Sequence, residues 1–72
     1  MLIKDHFVEI YKQVDFIGPL TRNQTISLAR KADQNVEVIY FRRNEDEEKY
    51  THIGFLFSDH SYYIIEIIDL EE

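Results

Sequence analysis

Four carboxylates stand side by side at Glu45, Asp46, Glu47 and Glu48, with Arg42 and Arg43 shortly before them and Lys49 and Tyr50 directly after. A run of acids can attract a basic surface, and arginines can grip a phosphate or carboxylate through paired hydrogen bonds. On a hairpin the simpler reading of Arg42 and Arg43 is that they neutralise the neighbouring acids across the turn. The remaining reactive groups are His6, His52 and His60, with Asp59 beside the last, and Glu66 inside the apolar run YYIIEIIDL. A buried Glu66 would be a general base with a raised pKa. On a strand that would otherwise be sticky, a solvent-facing charge that discourages aggregation is the preferred reading. His6 lies on a helix flank, where a solvated side chain is the default. His52, Asp59 and His60 would hold a metal or a substrate only by converging in one pocket, and a plain turn at 59 and 60 is the expectation.

The absences are equally informative. The chain has no cysteine, so disulfides and thiolate metal sites are excluded. With two glycines in all it carries no phosphate-cradling loop, and neither G-x-S-x-G nor H-E-x-x-H occurs. We therefore expect no enzyme, no cofactor and no metal site. The opening MLIKDHFVEIYK mixes apolar and charged residues, unlike a signal peptide. No apolar run approaches the roughly 18 residues a membrane span needs. A cytoplasmic protein with no membrane partner is the expectation.

The elements that must position these groups follow from periodicity. Ile3, Phe7, Ile10, Tyr11 and Val14 mark one stripe of an amphipathic helix, which should stop near Phe16 because Gly18 can take a left-handed cap and Pro19 cannot continue the ladder. Residues 20–35 read two ways. Thr21 and Gln24 have capping-box spacing, SLARKA favours helix and Asn35 could close it, giving a helix over 21–33; as a strand, Ile26, Leu28 and Arg30 alternate with smaller or polar residues. From Val36 the period becomes two. Strands are predicted over 36–43, 49–58 and 61–70, joined by short connections that imply an antiparallel meander. The predicted fold is α+β, one domain over 1–72, with the N-terminal helix, and a second helix if 21–33 is helical, packed on a three-stranded antiparallel sheet.

That sheet is too apolar for one cover. Ile53, Phe55 and Phe57 share an inner face opposite His52, Gly54 and Ser58, with Leu56 breaking the alternation. The outer strands are apolar on both sides: Ile39 and Phe41 oppose Val38 and Tyr40, and Tyr62, Ile64, Ile68 and Leu70, together with Glu66, oppose Tyr63, Ile65 and Ile67. Three covers suit the second face: the segment 20–35, a second copy of the chain, or a different protein.

Charge suggests what kind of protein that would be. Residues 1–36 hold five bases and four acids, whereas residues 37–72 hold three bases and ten acids, so the second half carries the whole excess of the net −6. Such a field repels phosphate backbones and speeds encounters with cationic surfaces, so no direct nucleic-acid binding is expected. Alternate carboxylates on a strand lie roughly 6.8 Å apart, about two axial phosphate steps of one DNA strand. The residues proposed to meet a basic partner are Glu45, Asp46, Glu47, Glu48 and Tyr50, with Asp59, Asp69, Glu71 and Glu72 adding acids at strand ends and terminus. In this layout, and in its segments NEDEE and DLEE, the chain resembles the small phage-encoded inhibitors of nucleic-acid enzymes, in particular anti-CRISPR proteins acting on Cas9. The resemblance is to the class, without a shared motif. It implies a DNA mimic that docks on the basic DNA-binding surface of a Cas9-type nuclease, where arginines read the PAM or lysines line the channel. The alternative is a small homodimeric structural or regulatory protein joined through the apolar sheet face.

Overall fold

A computed structural model describes residues 1–67 of the chain. Helix α1 spans Ile3–Ile17 and helix α2 spans Arg22–Ala32; strands β1 (Glu37–Phe41), β2 (His52–Leu56) and β3 (Tyr62–Glu66) follow. The strands form one antiparallel sheet in the order β1-β2-β3, as the short connections require. The α+β meander is as expected from the periodicity. Residues 68–70, assigned in sequence to the last strand, lie outside the described residues.

Helix α1 buries Phe7 completely, and Ile3, Val8, Tyr11 and Val14 pack around the same core. Val8 takes the place expected for Ile10, which is half-buried but outside that cluster. The helix ends where Gly18 and Pro19 were expected to end it, by a different device. Gly18 is extended (φ 178°) and donates its N–H to the Val14 carbonyl, so no left-handed cap forms.

Helix α2 resolves the ambiguity of residues 20–35. Thr21 Oγ1 accepts from the Gln24 amide at 3.1 Å, and Gln24 Oε1 accepts from the Thr21 amide at 2.9 Å, satisfying two of the donors that a helix start leaves open. Its buried side is Thr25, Ile26 and Ala29, a helical spacing that a strand could not present to one neighbour. The end is closed by Asp33, not Asn35: the Asp33 amide bonds the Ala29 carbonyl, and its side chain accepts from the Asn35 amide at 3.0 Å.

Both helices pack against one sheet face. Phe7, Leu20, Ile26 and Ala29 share a single core with Ile53, Phe55, Phe57 and Ile65. The Phe7 ring lies 5.1 Å from that of Phe55, 5.7 Å from Phe57 and 6.0 Å from Tyr63. Consequently the segment 20–35 does not cover the second face of the sheet.

Candidate functional site

Registry decides which side chains meet. Phe41, His52 and Glu66 form one cross-strand row, Ile39, Gly54 and Ile64 the next outward-facing row, and Glu37, Leu56 and Tyr62 the third. The β1–β2 loop, residues 42–51, leaves the sheet beside the first row. The β2–β3 turn leaves beside the third, at the opposite end.

In the loop, Glu45, Asp46 and Glu48 are exposed and Glu47 is half-buried. A turn closes through the Glu47 amide on the Asn44 carbonyl at 3.2 Å, and the loop base is tied by the Arg43 amide on Thr51 Oγ1 at 2.7 Å. The four acidic side chains have no hydrogen bond or ion pair among the described residues. The expected neutralisation by Arg42 and Arg43 does not occur. Arg43 instead pairs with Glu66 across the outer face, and Arg42 lies over the Tyr50 ring, 4.7 Å from its centroid. The local charges nearly balance, four acids against Arg42, Arg43 and Lys49. The two arginines, however, are held on the flanks, so the carboxylates at the tip keep their field.

One flank of the loop is aromatic. The Tyr50 ring lies 5.6 Å from that of Tyr40, and the Arg22 guanidinium stands 5.9 Å from the Tyr40 centroid. Two tyrosine rings in tilted contact thus lie between two arginines, a composition typical of the residues that dominate protein contacts. Glu66, read as a solvent-facing charge, is exposed and engaged by Arg43.

The proposed acids do not all gather here. Asp59 sits in the β2–β3 turn at the far end of the sheet, and both its oxygens are occupied within the chain. Oδ2 accepts from the Ile3 amide at 2.8 Å, and Oδ1 accepts from the Ser61 amide at 3.0 Å and from the Ser61 hydroxyl. Those bonds, the Ser61 hydroxyl first and the Ile3 amide next, hold the Asp59 carboxyl below its ordinary pKa. Asp69, Glu71 and Glu72 lie outside the described residues. Sequence reasoning overlooked Asp33, a buried carboxylate whose Oδ2 takes the Ser58 amide at 2.6 Å. The D-Q-N pattern signalled only a turn; the partner is 25 residues away.

His52, Asp59 and His60 do not converge in one pocket. His52 stacks on Phe41 at 5.4 Å with Nδ1 2.7 Å from Thr51 Oγ1, whereas Asp59 and His60 belong to the opposite turn. No cluster of three or more His, Cys, Asp or Glu side chains suited to a metal occurs among the described residues. A shallow concavity of about 180 Å³ includes His60 with Asn35, Glu37 and Leu56, and neither His52 nor Asp59. A groove of about 460 Å³ beside α2 is lined mainly by Val14, Leu20, Leu28 and uncharged polar side chains, with Lys31 its one ionisable group. No helix among the described residues is long and apolar enough to cross a membrane. Comparison with known proteins finds no matching family model, no similar curated protein and no similar solved structure.

Proposed function

We propose that this protein is a non-enzymatic binding module that docks its acidic loop on a cationic surface, as an inhibitor of a nucleic-acid-handling enzyme of the Cas9-nuclease kind. The observation that carries the reading is the fate of the loop charges. Glu45, Asp46, Glu47 and Glu48 have no partner among the described residues, while the two nearest arginines are held by Tyr50 and Glu66. Unpaired carboxylates on a loop tied at its base act at a distance and speed encounter with a basic groove. Tyr50 and Tyr40 then offer rigid contact area beside them. A surface built to hold a DNA backbone supplies the closely spaced cations that such a loop fits.

The test is association with an immobilised, guide-loaded Cas9-type nuclease, measured over a range of salt concentrations. Association should slow as salt rises. Reversing all four acids to lysine should slow it by about tenfold or more at low salt and flatten its salt dependence. Tyr50→Ala should act mainly by hastening dissociation. No binding to the nuclease, or an association rate indifferent to the charge reversal, would overturn the proposal.

A further inference from the structure

We infer that the groove beside α2 is a binding site for a small amphipathic carboxylate, an alkyl chain carrying one anionic head. Val14 from α1, Leu20 from the connection, and Asn23, Ser27, Leu28 and Lys31 from α2 line it. Asn23, Ser27 and Lys31 recur at every fourth position, so they share one helix face and span roughly 12 Å along its axis. The volume of about 460 Å³ falls in the range of about 300–1,000 Å³ usual for small-molecule sites.

The chemistry is graded along this groove. At one end Leu20 is buried, and Val14 and Leu28 are half-buried against the same core. At the other, Lys31 stands exposed in the last turn of α2, with no ion pair or hydrogen bond among the described residues. Side chains on a helix lean toward its N-terminus, so the ammonium reaches back over Ser27 and Leu28. Asn23 and Ser27 are exposed and add uncharged hydrogen-bonding groups.

Charge selects the occupant. The chain has a net charge of −6, yet no described acid lines the groove, and its one ionisable group is a cation. A cationic ligand is repelled there and a neutral one leaves Lys31 unused. A carboxylate pairs with the ammonium while its alkyl chain covers Val14, Leu20 and Leu28. A single exposed ion pair places the affinity in the weak range, about 0.1–1 mM. No residue of the acidic loop lines the groove, and the inference does not rest on the function proposed above.

Amide NMR spectra titrated with octanoate, octan-1-ol and octylammonium, each to about 2 mM in about 0.15 M salt, test this. Octanoate should give saturable shifts centred on Val14, Leu20, Ser27, Leu28 and Lys31, and the other two should bind at least about threefold more weakly. Lys31→Glu should raise the octanoate dissociation constant about threefold or more. Ser27→Trp should fill the groove and abolish the saturable shifts. Both positions are exposed, so these variants should fold, which far-ultraviolet circular dichroism checks. Lysines at positions 45–48 should leave octanoate binding within about twofold, which separates failure here from failure of loop docking. Shifts that do not saturate or that spread over the sheet, equal affinity for the alcohol, or a Lys31→Glu variant that binds like the parent would overturn the inference. So would shifts at the same residues that depend on protein concentration without ligand, since a second copy would then be the occupant.

Discussion

Asp59 Oδ2 lies 2.8 Å from the backbone nitrogen of Ile3, so a carboxylate from the β2–β3 turn satisfies the first amide of a helix that begins 56 residues earlier. Leu2, at the N-cap position of α1, has no side chain able to do this. Ser61 Oγ adds a bond from the next amide, Lys4, at 3.1 Å. At the same end of the molecule, Asp33 binds the turn to the end of α2 through the Ser58 amide. The turn therefore fastens both helices to the sheet.

Asp59→Ala should lower the melting temperature by several degrees, and Asp59→Asn by less, since an amide oxygen still accepts from one donor but carries no charge toward the helix start. Amide exchange at Ile3 and Lys4 should accelerate more than exchange in β2. Equal acceleration in both places would mean that the bond has no local role.

Stability should fall on acidification below the ordinary carboxylate range. Asp33 is held under its ordinary value of 3.8, chiefly by the Ser58 amide, and Asp59 is lowered likewise by the Ser61 hydroxyl and the Ile3 amide. Because the folded values are depressed, the unfolded chain binds more protons between the two sets of values. The stabilisation is therefore complete above about pH 5 and is lost as pH falls through 3.8 toward the folded values. Urea midpoints measured from neutral pH to pH 2 should show this slope, and Asp33→Asn should reduce it.

Phe7 is fully buried among Tyr11, Phe55, Phe57 and Tyr63. Phe7→Ala should cost about 3–5 kcal/mol, comparable to the whole stability of so small a domain. Phe7→Leu should cost about 1–2 kcal/mol and leave a cooperative transition. Denaturant curves distinguish the two; a folded, fully cooperative alanine variant would show that the core does not turn on this ring.

His60 is the one non-glycine residue with positive φ among the described residues, at 71°. It ends a three-residue hairpin loop in which the Phe57 carbonyl accepts from the His60 amide at 2.9 Å and the Ser61 carbonyl from the Phe57 amide at 2.9 Å. Side chains disfavour that conformation and glycine does not, so His60→Gly should stabilise the fold by about 0.5–1 kcal/mol. A loss of stability in the same denaturant titration would assign the imidazole a packing role that outweighs the relieved backbone.

A Cβ added at Gly54 would fall 2.9 Å from Tyr62 Cζ and nearer still to the hydroxyl, because the Tyr62 ring roofs the glycine on the outer face. Tyr62 is itself partly exposed and its ring end can swing away. Gly54→Ala should therefore cost less than about 1 kcal/mol, yet displace the ring. Chemical shifts of the Tyr62 ring protons would report it; unchanged shifts would mean the ring does not rest there.

What the chain encodes locally was legible from it. The stripe Ile3, Phe7, Tyr11, Val14 marks a helix, Thr21 and Gln24 cap another, and the two-residue period after Val36 marks strands, because each signal lies within a few residues along one element. The exposure of Glu45, Asp46 and Glu48 also follows from their type. Tertiary contact decided the rest. Only three-dimensional packing placed α2 beside α1 and left the Ile39–Ile64 face open, since an amphipathic stripe says that a helix must be covered but not by what. Only cross-strand registry drew Arg43 to Glu66 and Arg42 to Tyr50, away from the acids that precede Tyr50 in sequence. The separation of 56 residues between Asp59 and Ile3, and of 25 between Asp33 and Ser58, put those bonds beyond any local pattern, and with them the difference between an acid that holds the fold and one that bonds nothing among the described residues.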